Sequence, residues 1–170
     1  MYRKILIIVL CFLCFGCDKK KDDANKFKSE YEKYNNEYLK LNLEDSDLIS
    51  YSTSNEINDI IKNGTGVIFF GNPKDNLSRR AIDILLDVSN NTDIKSIYYM
   101  ESFDDINGLD SVLDKKIPLV LFVLEGKIVS YHVGTIDDKI DLSDDEVIKL
   151  YNLYSEGIHE VLQDACDEEC

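Results

Sequence analysis

The chain has 170 residues, with 33 acidic against 19 basic side chains, a formal net charge of −14 and no tryptophan. That balance repels polyanions, so nucleic acid is not an expected partner, and it repels anionic headgroups as well. The length allows one domain with its own core, and five cysteines make the redox compartment the next question.

Arg3 and Lys4 precede an unbroken apolar run of eleven residues, Ile5 to Phe15. A spanning helix needs about 20 such residues, so the run suits the core of a signal peptide. Gly16 stands before Cys17, and DKKKDD follows at once. This suits a lipoprotein cleavage site, with 1–16 as signal peptide and Cys17 as the diacylated mature N-terminus. Cys14 and Phe15 are unusual residues there, and an ordinary cleaved signal with an incidental cysteine is the alternative. Losing Arg3 and Lys4 with the signal takes the charge from −14 to −16. Attachment to the outer face of the cell membrane is then expected through acyl chains and not through a basic patch. Residues 17–26 read as the lipidated cysteine and a charged stalk, and 27–170 as the domain.

Phe27, Tyr31, Tyr34, Tyr38 and Leu41 recur on one helical face, and Tyr38 to Leu43 could instead turn into a first edge strand. Thr53 or Ser54 with Glu56 marks a helix start, Ile57, Ile60 and Ile61 its apolar face, and Gly64 and Gly66 its end. Val67 to Phe70 is fully apolar, as in a strand covered on both sides. A helix follows Pro73, carries Leu77, Ala81, Leu85 and Val88 on one side, and closes at Asn90-Asn91. Ile94 to Met100 reads as a strand, and 101–116 as a connection. Leu119 to Leu124 and Lys127 to Val133 flank the tight turn Glu125-Gly126 as a hairpin. Ser143, with Glu146 three residues on, starts a last helix whose buried face is Val147, Tyr151, Tyr154, Ile158, Val161 and Ala165. Strands alternating with helices predict an α/β fold with a mixed central sheet between helical layers.

The stretches KSEYEKYNNEYLKL, NGTGVIFFGNP and IPLVLFVLEGKIVSYHVGT, with the ending CDEEC, resemble a family of Gram-positive thioredoxin-like lipoproteins, some of them described as bacteriocin-transport accessory proteins. The resemblance covers most of the chain after Cys17 and implies a thioredoxin-like three-layer fold. In that family a Phe-Gly-x-Pro turn leads into Cys-x-x-Cys. Here Asp75 and Ser78 stand at the two cysteine positions. The resemblance also implies a cis bond at Ile117-Pro118, with Pro118 facing the site.

Neither a carboxylate nor a hydroxyl replaces a thiol in disulfide exchange. The expected function is therefore a tethered, non-catalytic protein that binds an extracytoplasmic peptide or protein, with no cofactor. The alternative is a thiol-disulfide oxidoreductase that uses Cys166 and Cys170. Four residues of helix would put their α-carbons about 6 Å apart, within disulfide range. Asp167, Glu168 and Glu169 beside them should raise the thiol pKa values and slow attack, which favours a structural bridge. As an isolated element, Asp75 reads as a helix cap. His132 and His159 are too scattered in sequence to make Ser78 a nucleophile. Asp137, Asp138, Asp141, Asp144 and Asp145 lack calcium-loop spacing and read as a solvated acidic face, so no metal is expected.

Overall fold

The computed structural model describes residues 19–34, 46–112 and 114–162. Its strands are β1 (Ile49–Tyr51), β2 (Gly66–Phe70), β3 (Ile97–Met100), β4 (Leu119–Leu124) and β5 (Lys127–Val133). Its helices are α1 (19–34), α2 (Ser54–Asn63), α3 (Asn76–Asn90) and α4 (Asp144–Leu162). The fold is α/β: one mixed sheet in the order β1-β3-β2-β4-β5, flanked by helices. The first three strands in that order are parallel, while β4 runs antiparallel to β2 and β5 antiparallel to β4.

Apolar runs occupy the middle of the sheet because both of its faces are covered there. All five residues of β2 are buried, as are the first five of β4. Strand alternation divides them. Val67, Phe69, Val120 and Phe122 point into a core shared with α1, α3 and α4. Ile68, Phe70, Leu119, Leu121 and Val123 face α2 and the connection after β3. That connection has no helix or strand among its described residues, yet it buries Leu109 and Val112 and sets Phe103 edge-on against Phe70 at 5.8 Å.

Local signals place the element ends. Thr53 caps α2 in a complete capping box with Glu56. The hairpin turn has positive φ at Glu125 (48°) and Gly126 (74°), the primed geometry that matches strand twist. A Cβ on Gly126 would stand 2.2 Å from the Lys62 carbonyl oxygen, so glycine is required there twice over. In α4 the buried positions are Leu150, Tyr154, Gly157, Ile158 and Val161. Val147 and Tyr151 are only half-buried, and Ala165 lies outside the described residues.

Three elements differ from the sequence reading. Helix α1 is already formed at residue 19, inside the segment read as a stalk, because Ala24 extends the buried stripe of Phe27 and Tyr31 one turn back. The strand expected from Ile94 starts at Ile97; Ile94 is buried but takes no part in the ladder. Strand β1 went unseen, since three residues paired only with β3 carry no periodicity to read. The alternative edge strand, 38–43, lies outside the described residues.

Candidate functional site

The end of β2 and the start of α3 form a junction in which nearly every polar group is used. The Gly71 N–H donates to the Met100 carbonyl at 3.0 Å, extending the ladder one step past β2. Its own carbonyl accepts two phenols, Tyr99 at 2.9 Å and Tyr31 at 3.4 Å. Any Cβ at position 71 would meet the Phe69 ring at 2.5 Å. Asn72 then turns the chain: its side chain accepts from the Lys74 N–H, and its carbonyl accepts from the Asp75 N–H, both at 2.9 Å.

Asp75 is the N-cap of α3 in extended backbone geometry. One carboxylate oxygen accepts the Ser78 N–H at 2.7 Å and the Ser78 hydroxyl at 2.6 Å. The Ser78 oxygen in turn accepts the Asn72 N–H at 3.1 Å, and Ser78 is fully buried. Asp75 and Ser78 are thus brought together and closed on each other. Arg79, only 3% exposed, folds back to donate to the Pro73 carbonyl at 2.5 Å and to the Asn76 side chain, while its Nε has no partner among the described residues. Burial lowers the Arg79 pKa, and nearby Asp75 works against that shift. Burial also holds the Tyr31 and Tyr99 phenols protonated far above their usual range.

Pro118 closes the other side. Phe70 pairs with Leu119, so the next residues outward are Gly71 and Pro118. The Ile117-Pro118 bond is cis, and the Pro118 carbonyl accepts the Gly134 N–H at 2.8 Å. A separate cleft of about 420 Å³, lined by Asn58, Lys62, Asn107, Gly108 and Ile128 among others, shares no residue with the junction.

The remaining residues singled out by sequence lie elsewhere. His132 sits on β5 with its ring edge-on to Tyr154 at 5.7 Å, and burial lowers its pKa. His159 is exposed on α4, and neither imidazole bonds Ser78. Asp138 pairs with Lys116 at 2.7 Å, and Asp137 with Lys139 at 4.0 Å. Among the described residues no group of three acids, histidines or cysteines is arranged to hold a metal. Cys17, Cys166 and Cys170 lie outside the described residues.

Sequence reasoning missed Tyr31 and Tyr99 as partners of the Gly71 carbonyl. They are 40 and 28 residues away in the chain, and an aromatic at core spacing carries no sign of what its hydroxyl will meet. Comparison with protein-family models and with curated proteins gives no match.

Proposed function

We propose that the chain is a lipid-anchored, extracytoplasmic protein with a thioredoxin-like fold, which holds an extended peptide or protein partner and performs no dithiol exchange at this site. The observation that carries the reading is the closed Asp75–Ser78 pair. Two residues at i, i+3 on the first turn of α3 are joined by a 2.6 Å hydrogen bond, at the positions where the resembled family has its dithiol. Thiol exchange needs a thiolate that attacks sulfur, and an O–H···O contact has neither nucleophile nor leaving group of that kind. Ser78 is also fully buried, so it is closed to an external substrate. The strand order β1-β3-β2-β4-β5, with Pro118 across from Gly71, supports the thioredoxin-like reading. The anchor rests on the Gly16-Cys17 junction behind its apolar run.

Restoring sulfur tests the scaffold. The double variant Asp75→Cys, Ser78→Cys should gain glutathione-driven reduction of insulin, while the natural sequence stays at background. Equal rates in the two proteins would falsify the reading. Binding is tested by a photoreactive side chain at exposed Lys74, beside the junction, against one at exposed Glu156 on α4. Capture of a reduced, alkylated, unfolded polypeptide is expected from position 74 only. Equal capture at both positions would remove the junction as the binding site.

A further inference from the structure

The fold sorts charge in a way that composition hides. The exposed side chains of α1 include six lysines, Lys19, Lys20, Lys21, Lys26, Lys28 and Lys33, in a chain whose net charge is −14. Only Asp22 and Glu32 are exposed acids on that helix. Asp23 and Glu30 are half-buried, and Glu30 accepts the Tyr51 hydroxyl at 2.7 Å. None of the six lysines makes a salt bridge among the described residues. At the other extreme, residues 136–162 hold eight Asp or Glu against Lys139 and Lys149.

Helix α1 and the acid-rich segment 137–146 that leads into α4 lie toward opposite ends of the sheet, whereas the last turn of α4 comes back across it, Val161 and Leu162 sharing a cleft with Lys95. Helix α1 packs at the β1–β3 end: Lys26 lies 4.1 Å over the Tyr51 ring, and Lys20 donates to the Lys95 carbonyl at 3.1 Å. Helix α4 packs at the β4–β5 end, with Tyr154 against Phe122 and His132. Five strands at about 4.8 Å spacing put roughly 19 Å between those ends, more than twice the Debye length of about 8 Å at physiological salt. A surface touching α1 therefore senses its lysines without the acidic end. The stripe of Ala24, Phe27 and Tyr31 faces the core, with Lys20 one turn before Ala24 on that same side; Lys19, Lys21, Lys28 and Lys33 are exposed on the rest of the helix, where Asp22 and Glu32 are exposed as well.

We infer that the outer face of α1 lies against an anionic lipid surface and orients the domain with its acidic β5–α4 end away from the membrane. This rests on the lipid-anchored reading, in which Cys17 stands two residues before Lys19 and α1 begins at headgroup level. Lysines so placed add attraction that acts only within about one Debye length of anionic headgroups. The same helix holds the Gly71 carbonyl through Tyr31, so the orienting surface and the candidate site share one rigid element.

The test uses the mature protein reconstituted into vesicles of phosphatidylcholine, with or without phosphatidylglycerol. A fluorescent amino acid at exposed Asn25 on α1, or at Glu156 on α4, reports energy transfer to headgroup-labelled lipid. Transfer from position 25 should rise about two-fold or more with phosphatidylglycerol and fall back near 0.5 M salt, where the screening length is about 4 Å. It should also fall in the variant Lys21→Glu, Lys28→Glu, Lys33→Glu, and position 156 should transfer less throughout. Equal transfer from position 25 in neutral and anionic vesicles, or an unaffected charge-reversal variant, overturns the inference. Mass spectrometry of Cys17 decides the anchor separately. If no acyl chain is found, flotation of the free protein with the anionic vesicles supports the lysine face, and failure to float, or a preference for RNA over vesicles, rejects it.

Discussion

Helices α1 and α4 cover the same face of the sheet from opposite ends, and each places a fully buried tyrosine beneath it. Under α1, the Tyr31 and Tyr99 hydroxyls both donate to the Gly71 carbonyl. Under α4, the Tyr154 hydroxyl has no hydrogen-bond partner among the described residues, and neither have the Nε2 of His132, whose ring stands edge-on to it, and the buried Ser130 Oγ on the same strand. An unpaired buried hydroxyl costs about 1–3 kcal/mol, so the α4 end gives up hydrogen bonding for packing volume. At the α1 end both tyrosine hydroxyls go to the junction, although Asp23 Oδ2 on α1 and Arg79 Nε are buried without a partner among the described residues. Equal burial in one core thus conceals different hydrogen bonding: the tyrosines at the α1 end also fix the β2–α3 junction, whereas Tyr154 only fills volume.

The largest expected effect is at α1. Phe27 is fully buried and stacked on Tyr31 with ring centroids 4.3 Å apart, so Phe27→Ala should lose about 3–5 kcal/mol in urea unfolding. A loss below about 1 kcal/mol would mean that α1 is an appendage and not part of the core. Next comes Gly157 on α4, where a Cβ would lie 2.5 Å from the Phe122 ring. Gly157→Ala should destabilise by about 1–3 kcal/mol through overpacking, despite alanine's better helix propensity. A more stable variant would show that the β4–α4 interface can shift to make room.

The two tyrosines sharpen the contrast further. Tyr99→Phe should lose about 1 kcal/mol and speed amide exchange at the junction, because a 2.9 Å bond to the Gly71 carbonyl disappears. Tyr154→Phe removes a hydroxyl with no partner among the described residues and should be neutral or stabilising. Equal losses in the pair would erase the distinction drawn between the two ends.

The smallest effect concerns pH. Burial lowers the His132 pKa below its ordinary 6.5, with Asp138 acting against the shift and Lys149 adding to it. As pH falls through 6.5 the unfolded chain takes up the proton first, so stability declines and levels off only below the folded pKa. His132→Phe should flatten that decline between pH 7 and 5. An unchanged slope would assign the pH dependence to other groups.

Legibility in the sequence followed the range of the interactions. Val67 to Phe70, the hairpin turn at Glu125-Gly126 and the Thr53–Glu56 box are written in neighbouring residues, and each appears where it was expected. Asp75 was readable as a cap for the same reason. Its second role, accepting the hydroxyl of a wholly buried Ser78 that also accepts from Asn72, needed the turn to close. Arg79 gave no sign of burial, because a charged residue one turn into a helix normally reaches solvent.

Sequence by itself determined the α/β class, the apolar central strands and the absence of cysteine from the β2–α3 junction, since periodicity, caps and residue identity are local properties. Tertiary structure decided the short strand β1, the early start of α1, the two tyrosines on one carbonyl and the separation of basic and acidic ends. Those features join residues 28 to 75 positions apart, or depend on which face of a helix meets the core. A chain read residue by residue gives the sum of its charges; only packing across five strands gives their arrangement in space.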